Sequence, residues 1–248
     1  MARAASYRDQ ALVIRTHDFG EADRIVVLLT REHEVVRAVA KGVRKTNSRF
    51  GSRLQPFVHL DVSLYPGKNL ATIAAADTLA YLGAGIIEDW DRYAAACVVL
   101  ETAERLAGYG GDDAALFDAA VTALHRLGES PLSTAVLDGF LLQSMRAAGW
   151  APQLFSCAVC GCAGPHHAFH PAVGGAVCVN CRPSGSSEIP EEVLHLMWLL
   201  DGGYADAAAA LIGSEGTSLL DTAHRLITRH LQWYVEAGIR SLKVMEQH

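Results

Sequence analysis

The sequence predicts an α+β protein: a small five-stranded β-barrel at the N terminus, then a mostly α-helical domain with an inserted four-cysteine finger. Three observations predict it. The first 80 residues hold five short strand-like runs, one of them alternating with a clear period of two, and from Ile86 onward apolar residues recur every three to four. Two Cys-x-x-Cys pairs then interrupt the helical pattern, in a stretch rich in Gly, His and Pro.

Residues 11–16 (ALVIRT) and 24–30 (RIVVLLT) are short runs rich in β-branched side chains, parted by the polar, turn-prone residues 18–23. Residues 35–41 supply a third run. Val58, Leu60, Val62 and Leu64 alternate with His59, Asp61 and Ser63, and Tyr65-Pro66-Gly67 closes that strand. A fifth run, smaller and Ala-rich, covers residues 70–79. A long polar connection joins the third to the fourth. Five short strands in so little chain suit a closed barrel better than a sheet with exposed edges.

Helical spacing begins with Trp90, Tyr93, Ala94, Cys97, Val98 and Leu106, and places Cys97 in a helix core. It continues through Leu116, Ala120 and Leu124, then Val136, Phe140, Leu141 and Met145. Residues 111–113 (GDD) and Ser130-Pro131 are helix starts, where Asp or Ser can accept from orphan amides; Gly149 is a stop. Residues 191–200, 205–212 and 219–239 read as three more helices. The expected domains are 1–80 and 81–248, with the finger at about 155–185.

Half of the 248 residues are apolar and 19% are charged, which excludes a disordered chain. No apolar run reaches the length of a membrane span, and residues 1–9 carry Arg3, Arg8 and Asp9 without an apolar stretch. A cytoplasmic protein with no membrane partner is expected. The net charge of −6 is unevenly spread: residues 1–53 carry +5 and residues 81–248 carry −10. A basic N-terminal module on an acidic body suggests a polyanionic partner for the first.

Cys157-x2-Cys160 and Cys178-x2-Cys181 have the spacing of a four-cysteine zinc site, with seventeen residues between the pairs. Each pair forms a tight turn that aims two sulfurs at one point, and two turns complete a tetrahedron. Disulfides are disfavoured in a cytoplasmic chain. Cys162 and His166, His167 and His170 stand near enough in sequence to replace a ligand. A zinc deaminase would need His-x-Glu, which is absent, so the expected cofactor is one structural Zn²⁺ per chain.

Arg37, Lys41, Arg44, Lys45, Arg49 and Arg53 lie within seventeen residues that hold no acid. Arg37 and Lys41 share a strand face, and the others occupy the polar loop of residues 42–54 with Thr46, Asn47 and Ser48. Cations beside hydroxyl and amide donors are what a phosphate backbone requires. Phe50, Phe57 and Tyr65 could offer stacking faces to unpaired bases, and Phe57 could equally be core. An ordinary solvated loop is the plain alternative. Catalytic signals are lacking: there is no G-x-S-x-G or G-x-G-x-x-G, Gly67-Lys68 lacks the P-loop spacing, and His17, His33 and His59 are scattered.

The order of these parts resembles the bacterial RecO family of DNA repair and recombination mediators, along essentially the whole chain. Carrying the resemblance are Asp23-Arg24-Ile25-Val26, residues 40–45 (AKGVRK) with Ser48, Leu54-Gln55-Pro56-Phe57, Trp90 and Tyr93, and the cysteine pairs. The resemblance implies an OB-fold at the N terminus, a helical domain bearing the finger, and non-enzymatic work at the nucleoid. That work is binding single- and double-stranded DNA, annealing complementary strands, and helping RecA replace single-strand-binding protein (SSB) together with RecR. It also implies a contact with the C-terminal tail of SSB, for which Arg92, Arg105, Arg126 and Arg146 are available cations. A zinc-ribbon regulatory or protein-interaction module is the alternative reading.

Overall fold

The computed structural model describes residues 5–48, 50–245 and 247. It divides into two compact units, Met1–Glu129 and Ser130–His248.

In the first unit, β1 (Tyr7–Phe19), β2 (Asp23–Thr30), β3 (Val35–Ala40), β4 (Val58–Tyr65) and β5 (Ala71–Tyr81) close into a barrel in the order β1-β2-β3-β5-β4. All pairings are antiparallel except β3 with β5, which runs parallel at Ala38↔Ala71 and Val39↔Thr72. That parallel closure explains the long connection from β3 to β4, because the chain must cross the barrel end before β5 can lie beside β3. The inward set at period two includes Val13, Val26, Leu28, Leu60, Val62 and Leu64, all fully buried.

The outward residues of β1 and β2 are apolar too. Leu12, Ile14, Val27 and Leu29 are buried, and α1 (Trp90–Leu106) packs on β1. Helix α2 (Asp113–Glu129) lies against α1. Asp89 caps α1 by accepting from the Arg92 amide at 3.0 Å, and Asp112 does the same for the Ala115 amide at 2.9 Å, as the GDD motif predicts. Two ion pairs tie the helices to the barrel: Arg15 to Glu104 at 2.6 Å and Arg31 to Asp118 at 2.9 Å.

The second unit is built from α3 (Ser133–Ala147), α4 (Glu191–Asp201), α5 (Ala205–Glu215), α6 (Thr217–Tyr234) and α7 (Arg240–Met245). Between α3 and α4 lies a small sheet of β6 (Ala168–His170), β7 (Gly175–Ala176) and β8 (Ser187–Glu188), ordered β7-β6-β8. The helix expected over residues 219–239 stops at Tyr234: Val235 is extended, and a turn donating from the Gly238 amide to the Val235 carbonyl precedes α7. The apolar spacing continued across that turn because Val235 and Ile239 are buried on either side of it. Asp138 is fully buried and paired to the His224 ring at 2.6 Å. Burial pushes its carboxyl above the ordinary range, and the His224 bond pulls it partly back. Among the described residues no helix is long and apolar enough to cross a membrane.

Candidate nucleic-acid interface and metal centre

The loop of residues 42–54 is fastened to the barrel rather than loose. Val43, Phe50 and Leu54 insert into the barrel core. The Gly42 amide donates to the Asp23 carboxylate at 2.7 Å and the Arg44 amide to the Ala22 carbonyl at 3.0 Å. Further turns run from Lys45 to Gly42 and from Ser48 to Lys45. Three apolar anchors therefore hold the backbone while Lys41, Arg44, Lys45 and Arg53 remain exposed between them. On β3, Val36, Ala38 and Ala40 face the core, which turns Arg37 outward. Arg49 lies outside the described residues.

The stacking expectation needs correction. Phe50 and Phe57 are 2% and 6% exposed, because the barrel end must be plugged where the chain crosses it. Tyr65, at the end of β4, is exposed.

The N-terminal cations fall into two groups. Arg8 is bound to Asp61, Arg15 to Glu104, Arg24 to Asp18 and Arg31 to Asp118 and Glu32. Arg44 has a longer contact to Asp18, 3.5 Å. Arg37, Lys41, Lys45 and Arg53 have no carboxylate within ion-pair distance among the described residues; Arg53 donates to the Ala76 carbonyl at 3.3 Å. Lys68 belongs with them and was missed. It is exposed in the turn before β5, and the parallel Ala38↔Ala71 register places that turn toward the N-terminal end of β3, the strand that carries Arg37. Only the parallel closure could reveal this, since Lys68 stands alone in the sequence.

Two of the three scattered histidines have partners in the fold. His33 meets the buried Asp9 at 2.6 Å, and His59 contacts Gln10 at 3.1 Å with its ring edge-on to Phe117. Cys97 is only half-buried, contrary to a core position, with Tyr93 bonded to its thiol.

In the second unit the four expected thiols converge. The ligand atoms of Cys157, Cys160, Cys178 and Cys181 all lie within 4.8 Å of one another, with 3.9 Å between the sulfurs of Cys160 and Cys178. Each pair is a tight turn: the Gly161 amide donates to the Cys157 carbonyl, and the Cys181 amide to that of Cys178. The turns are held by the small sheet, through Ala158 to Ala176 and Val177 to Ala168. Gly175, at φ 135°, permits this approach, since a Cβ there would sit 2.6 Å from the Gln153 nitrogen.

Such crowding cannot leave four free thiolates. The amides of Cys160 and Cys178 point at the Cys157 sulfur and bring it down to about 5, while the sulfurs of Cys160 and Cys178 push Cys181 up to about 12. A cation at the centre would resolve that conflict, and four soft donors on two turns suit one. The apolar cluster beneath the sulfurs comprises Cys157, Ala168 and Val177, with Val173 packed against it, and Phe169 of the same sheet is fully buried with its ring edge-on to His230. His166 turns to the Cys162 carbonyl at 3.1 Å and does not join the cluster.

A cavity of about 720 Å³ beside the finger is lined by Leu154, Phe155, Pro165, Glu191, Glu192 and His195, among others. It has carboxylates and no Lys or Arg in its walls, so it does not suit an acidic tail. Of the four candidate cations for such a tail, Arg92 bridges the Gly85 and Gly128 carbonyls, Arg105 pairs with Glu101, and Arg146 pairs with Asp201.

Two family models match the chain: Recombination protein O N terminal over residues 1–82, and Recombination protein O C terminal over residues 87–243. Together they span nearly all of it. The chain belongs to the RecO family. RecO proteins are non-enzymatic mediators of DNA repair and recombination, whose partners are DNA and other repair proteins. The RecO-like residues now have physical roles in this fold. Asp23 holds the Gly42 amide, Arg24 holds Asp18, and Phe57 seals the barrel end against Tyr93 at 6.0 Å.

Proposed function

We propose that the barrel binds single- and double-stranded DNA through Arg37, Lys41, Lys45 and Arg53, with Arg44, Arg49 and Lys68 contributing. The observation that carries this reading is the sorting of cations: Arg8, Arg15, Arg24 and Arg31 are paired to carboxylates, Arg44 has only a 3.5 Å contact to Asp18, and Arg37, Lys41, Lys45 and Arg53 have no carboxylate within ion-pair distance among the described residues. An unpaired cation on an anchored backbone is ready for a phosphate at little ordering cost. Neutralising two polyanions at one surface lowers their repulsion, which is the physical requirement for annealing complementary strands. The chain then helps load RecA onto SSB-coated DNA together with RecR, and contacts the C-terminal tail of SSB. The four-cysteine cluster holds Zn²⁺ as a structural ion. Tetrahedral zinc–sulfur bonds of about 2.3 Å require sulfurs about 3.8 Å apart, and Cys160 and Cys178 stand 3.9 Å apart. When bound, zinc supplies cross-linking of the two turns; the four thiolates leave no open position for chemistry.

The test is a gel-shift series with random-sequence single strands and duplexes, bare and SSB-coated, followed by annealing of complementary strands. Binding of mixed sequences with little preference, and annealing in the presence of SSB, are expected. Strong preference for one duplex sequence would instead establish a sequence-specific regulator.

A further inference from the structure

The cavity beside the finger continues into an open strip of aromatic rings. One wall of the cavity is the exposed side of α4, with Glu191, Glu192 and His195, and the other is the chain around Phe155 and Pro165. Further along that side of α4 stands Trp198, whose ring meets Phe155 at 6.0 Å and Tyr204 at 5.2 Å. The three rings touch one another, yet Phe155, Trp198 and Tyr204 remain 55%, 39% and 52% exposed. Folding of the second unit therefore leaves a contiguous apolar strip open to water, as surfaces that a partner covers do.

The strip is held ready. The Gly164 amide donates to the Phe155 carbonyl at 2.8 Å, and the Tyr204 amide to the Leu199 carbonyl at 2.9 Å. The Tyr204 ring lies against Gly202, where a Cβ would stand 2.4 Å from it. Val193, Leu196 and Met197 fix the other side of α4 in the core. Rings anchored in this way lose little freedom when they are covered.

Charge decides what covers them. Glu191 and Glu192 are exposed at the cavity and have no Lys, Arg or His within ion-pair distance among the described residues. The cations at either end of α4 are already taken, Arg182 by Glu188 at 2.9 Å and Arg146 by Asp201. Two acids in a first turn suit the helix dipole, but the dipole does not account for the aromatic walls beside them. A nucleic acid or an acidic tail would meet two carboxylates with no cation to answer them. A guanidinium would find both of its favoured contacts at once, a carboxylate and an aromatic face.

We propose that this groove binds an arginine-bearing apolar segment of a partner protein. The guanidinium sits at Glu191 and Glu192, and the apolar side chains next to it cover Phe155 and Trp198. The contact is distinct from one with an acidic tail, because the charge it selects has the opposite sign, and it depends on neither the DNA surface of the barrel nor the metal.

The test selects phage-displayed random peptides on the full-length chain, then titrates the enriched sequences as fluorescent peptides by anisotropy. Arginine next to aromatic or branched aliphatic residues is the expected consensus. Glu191→Gln with Glu192→Gln weakens binding of such a peptide by about tenfold or more, and Trp198→Ala does likewise. Exchanging arginine for glutamate in the peptide abolishes binding. Trp233→Ala, at an exposed ring on α6, leaves the affinity unchanged and controls for general adhesion. If Trp198→Ala lowers the urea midpoint, the glutamine pair alone decides, since both of its positions are exposed. An acidic or uncharged consensus, no enrichment at all, or equal affinity for wild type and the glutamine pair overturns the proposal.

Discussion

Replacing Arg37, Lys41 and Lys45 together by alanine separates the proposed interface from the rest of the basic N-terminal segment. None of the three has a carboxylate within ion-pair distance among the described residues, and all are exposed, so the fold loses nothing buried. Each phosphate contact on a single strand contributes about 0.7 to the slope of log affinity against log salt. Contacts from these three with Arg53 and Lys68 give a slope near −3.5, and the triple variant about −1.4 by the same rule. At about 0.15 M salt that difference is roughly 50-fold in affinity. Fluorescence anisotropy with a mixed-sequence single strand, titrated across salt concentrations, measures both. Arg8→Ala is the control, because Arg8 already pairs with Asp61 at 2.6 Å and should leave the slope unchanged. An unchanged slope in the triple variant, or equal flattening by Arg8→Ala, would refute the sorting of cations.

Three further outcomes follow from the second unit. Elemental analysis of freshly purified protein should find one zinc per chain, and Cys157→Ser or a strong chelator should remove it and melt the finger, seen as accelerated hydrogen exchange over residues 157–181. Gly175→Ala should destabilise the unit by on the order of 1–3 kcal/mol in urea unfolding, since a Cβ there strikes the Gln153 backbone; a wild-type midpoint would contradict that approach. His230 is buried with Nε2 on the Trp150 carbonyl at 2.9 Å and no partner for Nδ1, and burial lowers its pKa. The folded chain thus prefers the neutral ring. Its contribution is complete above the unfolded value of about 6.5 and is lost as pH falls below it. His230→Gln should lose less stability than wild type between about pH 7.5 and 5.5 in urea titrations, and an equal loss would show that another group titrates.

Much of the barrel is legible from alternation, because Val58, Leu60, Val62 and Leu64 repeat on one face of β4 and all face the core. What alternation cannot supply is closure. The parallel pairing of β3 with β5 is a long-range event, and it alone sets the turn that carries Lys68 toward the start of β3. Phe50 shows the opposite limit. Set among Arg and Ser in a polar loop it reads as a surface ring, yet it plugs the barrel, since a loop crossing a closed end must supply the core that no strand covers there. The helix expected over residues 219–239 ends early at Tyr234 for a related reason: burial of Val235 and Ile239 preserves the apolar rhythm through a turn, and periodicity reports burial rather than backbone.

The fold sorts the charges that composition only counts. A surplus of +5 over residues 1–53 suggests a uniformly basic module. Much of that charge is spent internally, as Arg15 and Arg31 reach Glu104 and Asp118 on the helices packed against the barrel. The acidic helices neutralise Arg15 and Arg31 on the face they cover, while Arg37, Lys41, Lys45 and Arg53 have no carboxylate within ion-pair distance among the described residues. The proposed nucleic-acid surface is defined less by where cations occur than by where their counter-charges are missing, which a linear count of Lys and Arg does not register.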